Sequence, residues 1–187
     1  MTVPCGFAGK ENHRGNRFCD DKGVWNHTVK EVTIYTDGGS LGNPGKGGYA
    51  AILVYGGHQR EISGGYRLTT NNRMEMMACI RALESLRYPC RVTLYSDSRY
   101  LVDGVMKGWA ERWRRNNWMR NKKDRAENPD LWEKLLNLLK QHDVKLVWIK
   151  GHSGHPENER CDILVKKEAA REDLPADDFY EKMESVE

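Results

Sequence analysis

Four acidic residues lie where predicted strands and helices could carry them to one edge of a fold. Asp37 follows the β-branched run VTIYT and opens a glycine-rich stretch, and Asp97 follows a second such run, RVTLYS. Glu75 and Asp162 fall in segments whose apolar residues recur with helical spacing. If the four carboxylates met, they would repel one another unless divalent cations lay between them.

Ligand sets made only of oxygen atoms favour Mg²⁺ or Mn²⁺ over zinc. Two such ions about 4 Å apart can bind the attacking and leaving oxygens of a phosphodiester in line. The chemistry that these four acids would support is therefore metal-assisted hydrolysis of a phosphodiester.

Ordinary structural roles remain open for each acid. Asp37 could form an Asx turn, since Asp-Gly after a strand is a common turn signal. Asn72 and Glu75 resemble a capping box, and either Asp97 or Ser98 could cap the helix that follows. The fourth acid could be an exposed residue in the first half of a helix.

The elements that must position these acids follow the order β-β-β-α-β-α-α-β-α. The crossover from the first to the fourth strand is expected to be right-handed, which places these two strands side by side. The pattern predicts an α/β fold, with helices on the faces of a mixed sheet. The predicted strands are 32–36, 49–55, 59–68, 91–96 and 143–150, and the clearest helices begin at Asn71, Pro129 and Pro156.

A basic, tryptophan-rich segment runs from Lys107 to Arg125. It contains eight lysines and arginines against two acids, a net charge of +6, whereas the whole chain carries only +3. Trp109, Trp113 and Trp118 are interleaved with these charges. Lysine and arginine neutralise phosphates and release counterions, so the segment predicts a nucleic-acid partner. The alternative is a solvated helix that its tryptophans dock to the core.

Composition limits the remaining possibilities. No apolar run approaches the length of a membrane span, and the N-terminus lacks the apolar region of a secretory signal. Five cysteines at irregular spacing argue for free thiols in a reducing compartment. We therefore expect a cytoplasmic protein without a membrane segment, and a monomer. Residues 1–30 are predicted to be a flexible extension, and residues 172–187 a peripheral acidic tail.

A resemblance to a known family rests on separate blocks between about Val32 and Arg171. The sequence resembles bacterial type 1 ribonuclease H in TDGGSLGNPGKGGYAAIL, TTNNRMEMMA, SDSRYL, the basic stretch through NPDLW, and KGHSGHPENERCD. The resemblance implies a catalytic domain over 31–171, with a five-stranded sheet in the order 3-2-1-4-5 and helices on both faces. It implies endonucleolytic cleavage of the RNA strand of an RNA–DNA hybrid, which leaves 5′-phosphate and 3′-hydroxyl ends.

The resemblance also implies roles for the acids. Asp37 would bridge two Mg²⁺ ions, for which Mn²⁺ can substitute. Glu75 and Asp97 would hold the ion nearer the leaving oxygen, and Asp162 the ion that activates water. His152, in a polar loop after the fifth strand, would move a proton or help product release.

Substrate contacts follow from the same resemblance. Asn43, Asn71 and Asn72 would contact the hybrid at sugar hydroxyls or minor-groove edges. Thr70 and Asn128 would bind a phosphate of the DNA strand. The basic segment would provide the remaining contacts, from Trp109, Trp113, Trp118, Lys122 and Lys123. Capping and turn roles compete at Thr70, at the asparagines of 71–72 and at Asn128.

The sequence departs from the family pattern in two places. Gly39 stands where many relatives carry serine or alanine, and one residue is added near Lys107. The N-terminal extension is too short and too poor in aromatic residues to be the hybrid-binding domain of eukaryotic relatives. A catalytically silent hybrid-binding module and another nuclease of the same fold, such as an integrase or junction resolvase, are the alternatives.

Overall fold

A computed structural model describes residues 29–151 and 153–184, so nearly all of the predicted N-terminal extension lies outside it. Within these ranges, no helix is long and apolar enough to cross a bilayer. The strands are β1 (Lys30–Gly42), β2 (Gly45–Tyr55), β3 (His58–Thr69), β4 (Cys90–Ser96) and β5 (Asp143–Trp148). The helices are α1 (Asn71–Glu84), α2 (Arg99–Met106), α3 (Trp109–Arg115), α4 (Pro129–Leu139), α5 (Pro156–Ala169) and α6 (Asp178–Glu184).

The five strands form one mixed sheet in the order β3-β2-β1-β4-β5, as predicted. β1, β2 and β3 are antiparallel neighbours, whereas β4 runs parallel to both β1 and β5. The predicted crossover therefore places β4 directly beside β1, and the last pair of residues in that ladder is Thr36 and Ser96. Asp37 and Asp97 are the next residues along the chain, Asp37 still on β1 and Asp97 just after β4.

β1 does not end at Asp37, contrary to the sequence interpretation. It continues to Gly42, and Asp37 is paired with Ala50 of β2. Only the ladder to β4 stops before Asp37. The glycine-rich stretch after Asp37 therefore begins inside the strand, where Gly38 is required by packing, because a Cβ there would overlap the backbone of Met74 and Glu75. Helix α1 can therefore lie directly against β1.

Helices cover both faces of the sheet. On one face, α1 and α4 form the main core with the inward residues of β1 and β4, among them Ile34 and Leu94. On the other face, α5 buries Cys161, Leu164 and Val165 against β2. This two-sided arrangement is the predicted one.

Two helix starts differ from the capping roles considered above. Thr70 is the N-cap of α1, since its hydroxyl accepts from the Arg73 N–H at 3.4 Å, so the proposed capping box at Asn72 is wrong. Ser98 caps α2, and its hydroxyl accepts from the Leu101 N–H at 3.3 Å. Neither Glu75 nor Asp97 is therefore needed as a capping residue.

The C-terminal segment is less peripheral than expected. After α5 the chain returns beside β3, where the Arg67 N–H donates to the Pro175 carbonyl at 2.9 Å. Leu174 and Asp177 are buried, and Asp177 accepts two hydrogen bonds from the Arg73 guanidinium. The segment that precedes α6 is thus part of the fold.

The close approach of α1 to β1 predicts that Gly38→Ala lowers the free energy of unfolding by about 1–3 kcal/mol or more, because the added methyl overlaps backbone atoms. Gly39→Ala is the matched control. Its Cβ would lie 3.3 Å from Cγ1 of Val165, a side chain that can adjust, and the change should stay within about 1 kcal/mol. Urea unfolding midpoints test the difference, and equal midpoints would contradict it.

Candidate active site

Three of the four predicted acids meet at the edge of the sheet. Asp37 from β1, Glu75 from α1 and Asp97 after β4 each offer a carboxylate oxygen, and these oxygens lie within 4.8 Å of one another. Asp37 and Asp97 are half-buried, and Glu75 is only 6% exposed. The two aspartates lie there because β1 and β4 are parallel neighbours. The glutamate lies there because α1 packs directly on β1 at Gly38.

Glu75 is the most strongly perturbed member of this group. Burial raises its pKa well above the ordinary value, and the neighbouring charges of Asp37 and Asp97 raise it further. Its Oε2 atom is buried without a hydrogen-bond partner in the structure. A buried carboxylate oxygen with like-charged neighbours and no donor is a position that a cation would stabilise. These acids therefore fit a hard divalent ion.

Backbone and loop groups hold the two aspartates. The Gly38 N–H donates to Asp37 Oδ1 at 2.9 Å, and Trp148 Nε1 donates to the Asp97 carbonyl at 3.0 Å. Gly151 packs so closely on Asp97 that a Cβ there would crowd the carboxylate. The loop after β5 therefore begins against the acidic cluster.

Asp162 is not brought into this cluster. It lies in the first half of α5, half-buried, and its Oδ2 accepts from Lys166 Nζ at 2.7 Å. His152 lies outside the described residues, although its neighbour Gly151 contacts Asp97. His155 is exposed and precedes the first residue of α5.

The predicted contacts at the start of α1 are close together. The Asn71 N–H donates to Asn43 Oδ1 at 3.0 Å, which joins the β1–β2 turn to the helix. Asn43 and Asn71 are exposed, and Thr70 and Asn72 are half-buried. The Thr70 hydroxyl already accepts a hydrogen bond from the Arg73 N–H as the N-cap of α1, so a ligand bound there would share the hydroxyl with the helix. Asn128 joins this region through Arg73, whose Nη1 donates to Asn128 Oδ1 at 3.3 Å.

The basic segment is only partly available to a ligand. Trp113 is 7% exposed and packs edge-on against Trp132, with ring centroids 6.1 Å apart, so its prediction as a substrate contact is corrected to a core residue. Trp109 and Trp118 are half-buried against the core, and Lys107 Nζ lies 5.1 Å from the Trp109 ring centroid. Lys122 and Lys123 are exposed.

Sequence reasoning missed a buried charged group beneath these contacts. Arg73 is 1% exposed and forms ion pairs with Asp130 at 2.8 Å and with Asp177 at 2.7 Å. The available signal was the arginine on the otherwise buried stretch RMEMMACI of α1. Its partners are 57 and 104 residues away, and no local pattern identifies them.

Comparisons with known sequences agree with this geometry. The ribonuclease H family model, RNase H, matches residues 29–170. A ribonuclease H of Rippkaea orientalis is 59% identical over 156 residues, which cover 83% of this chain and 96% of the relative. A ribonuclease H from Syntrophus aciditrophicus is 60% identical over 151 residues, which cover 81% of this chain and 87% of the relative. A ribonuclease HI of Synechocystis is 54% identical over 139 residues, covering 74% and 87%.

Solved structures show the same similarity. LC9-RNase H1, a type 1 RNase H with the type 2 active-site motif, superposes with a TM-score of 0.67 at 32% identity, covering 75% of this chain and 72% of that one. LC11-RNase H1 in complex with an RNA/DNA hybrid has a TM-score of 0.56 at 27% identity, covering 73% and 94%. The chain therefore belongs to the ribonuclease H family as a bacterial-type ribonuclease HI, an endoribonuclease that cleaves the RNA strand of RNA–DNA hybrids.

Proposed function

We propose that Asp37, Glu75 and Asp97, together with Asp162, hold two Mg²⁺ ions during hydrolysis of the RNA strand. The observation that carries this proposal is the convergence of three carboxylates within 4.8 Å, one with a buried oxygen that lacks a donor. When bound, a pair of divalent ions supplies charge stabilisation at the attacking and leaving oxygens of the phosphodiester. Mn²⁺, which prefers similar ligands, can replace Mg²⁺.

Each acid has a distinct task in this proposal. Asp37, on the central strand, would be a ligand of both ions. Glu75 and Asp97 would hold the ion on the leaving-group side. Asp162 would hold the ion that activates water, and binding there would replace its ion pair with Lys166. His152 would move a proton during the reaction; its neighbour Gly151 packs against Asp97.

The hybrid would lie along the edge that carries the acids. Asn43, Asn71 and Asn72 contact sugar hydroxyls or the minor groove, and the exposure of the first two is consistent with this role. Thr70 and Asn128 bind a phosphate of the DNA strand. The exposed Lys122 and Lys123 contact the hybrid backbone, and the half-buried Trp109 and Trp118 contact the hybrid beside them in the sequence, with Trp109 against the DNA strand. The catalytic domain, predicted over 31–171, is extended by the packed C-terminal segment that contains Leu174 and Asp177, and the protein acts as a monomer.

Asp37→Asn should reduce cleavage of an RNA–DNA hybrid in Mg²⁺ at least about 100-fold, because a ligand of both ions supplies several kcal/mol. The fold should persist, since the change removes a like charge. Asp143→Asn, at the opposite end of the sheet, is the control. Cleavage is measured on matched hybrid, double-stranded RNA, double-stranded DNA and single-stranded RNA, with Mg²⁺ and with chelator. Normal turnover by Asp37→Asn, or binding of hybrid by the unchanged protein without cleavage, would overturn the assignment.

Glu75→Gln should stabilise the metal-free protein at pH 7.5. Folding raises the pKa of Glu75, so the folded state binds its proton more tightly than the unfolded state does. The stabilising contribution of that proton is complete below about pH 4.3 and is lost as the pH rises to the raised pKa. The variant should therefore be more stable than the unchanged protein at pH 7.5, and it should lose this advantage near pH 4.3.

Urea unfolding in chelator between pH 4.3 and 8 measures this difference. Glu84→Gln, on the exposed side of the same helix, should show no such pH dependence. Added Mg²⁺ should stabilise the unchanged protein more than Glu75→Gln. A variant that is less stable than the unchanged protein across the whole pH range, with an equal response to Mg²⁺, would contradict the predicted role of Glu75.

Replacing Lys122 and Lys123 with alanine should weaken hybrid binding and flatten its salt dependence. Two lost phosphate contacts should reduce the slope of log affinity against log salt by about 1.8, since each contributes about 0.9 on duplex DNA. Binding is measured in chelator over a salt series. The control replaces Lys140 and Lys145, which lie at the far end of α4 and on β5. An unchanged slope of log affinity against log salt would show that Lys122 and Lys123 do not contact phosphates of the hybrid.

A further inference from the structure

The side chain of Arg73 is almost wholly buried, and its donors are fully used. Nε and Nη2 donate to Asp177 at 2.7 and 2.9 Å, and Nη2 and Nη1 donate to Asp130 at 2.8 and 3.0 Å. The fifth bond runs from Nη1 to Asn128 Oδ1 at 3.3 Å. A guanidinium has five N–H donors in a rigid fork. Arg73 is therefore fixed in position and orientation.

This arrangement decides which way the Asn128 amide points. A guanidinium only donates, so the oxygen of Asn128 must face Arg73. The amide nitrogen of Asn128 then points away from Arg73, and its N–H groups can donate to a ligand. Tyr100 lies nearby, where its hydroxyl donates to the carbonyl of the preceding residue, Glu127, at 3.1 Å.

The backbone of Asn128 adds an independent sign of constraint. Its φ of 54° and ψ of 45° are in the left-handed region, and its side chain forms no capping bond to α4. Non-glycine residues hold this conformation at a cost and keep it where surrounding contacts enforce it. At Asn128 the hydrogen bond from Arg73 Nη1 is the contact that holds the side chain in place.

The C-terminal segment holds the other side of Arg73. Asp177 is 5% exposed, and it also accepts from the Thr69 hydroxyl at 3.2 Å and from the Tyr180 N–H at 3.3 Å. The rings of Phe179 and Tyr180 lie 5.5 and 5.6 Å from the guanidinium carbon. The segment therefore closes the side of Arg73 that neither α1 nor α4 covers.

We infer that Arg73, clamped by Asp177 of the C-terminal segment and by Asp130, is a positioning residue that presents the Asn128 amide to a phosphate of the DNA strand. This inference rests on the proposed phosphate contact of Asn128. It gives residues 174–180 a part in recognising the hybrid, although they lie outside the residues matched by the family model. Because Asp37, Glu75 and Asp97 are not in this network, its loss should affect binding and not the chemical step.

The test is a double-mutant cycle on hybrid dissociation constants in chelator, using Arg73→Lys, Asn128→Ala and the double variant. Lysine keeps the charge but cannot form the fork. Each single change should weaken binding about tenfold, equivalent to about 1.4 kcal/mol, and the double variant should be no weaker than Asn128→Ala alone. In Mg²⁺, Arg73→Lys should raise KM by the same factor and leave kcat at saturating hybrid unchanged.

Two controls separate positioning from stability. Leu86→Ala removes a buried side chain at the far end of α1, so it destabilises the fold without touching this network, and its hybrid affinity should be unchanged. Asp177→Asn should weaken binding as Arg73→Lys does and should also be non-additive with Asn128→Ala. If Asn128→Ala alone leaves affinity unchanged, the proposed phosphate contact fails. If it weakens binding but Arg73→Lys does not, or if the two effects add, the positioning role of Arg73 is overturned while the contact stands.

Discussion

The mutual repulsion of three carboxylates is the constraint on which the rest of this structure depends. Asp37, Glu75 and Asp97 approach within 4.8 Å, and the glutamate is buried. Such a group is unfavourable by itself, so other parts of the fold must hold it together. The apolar face of α1 and the inward residues of β1 and β4 do so by forming one continuous core. Asp37 and Glu75 are therefore positioned by a strand and a helix, and Asp97 is positioned by the end of β4.

Recognition of the hybrid depends on a different kind of support. Its proposed contacts lie at a turn, at two helix starts and on the basic segment, where the backbone is less constrained by the sheet. Hydrogen bonds replace core packing there: Asn43 holds the start of α1, and Arg73 holds Asn128. Arg73 and its partner Asp177 are buried charges, and paired burial of this kind favours one defined geometry over added stability. The acidic cluster is thus held in place by core packing, whereas the proposed hybrid contacts are held in place by hydrogen bonds.

The strand order and the meeting of Asp37 with Asp97 were predictable, because β-branched runs and one right-handed crossover leave few topologies. The extension of β1 to Gly42 was not predictable from the sequence, because a glycine required by close packing in a strand looks the same as a glycine required by a turn. Trp113 was misjudged for a related reason: a tryptophan among arginines has the same local pattern whether it faces the core or a ligand. The contact of Arg73 with Asp177 joins residues 104 positions apart, and no local spacing encodes it.

The family model and the fold of this chain end at different places. The match stops at residue 170, whereas Leu174 and Asp177 are still buried in the structure. A domain boundary drawn at the end of the match would leave the Arg73 guanidinium with one carboxylate where it now has two. The same cut would remove Phe179 and Tyr180, whose rings lie over the guanidinium, so it should lower the free energy of unfolding. A protein shortened to the matched residues would thus be a poor stand-in for the enzyme, and low activity from it would reflect the missing segment.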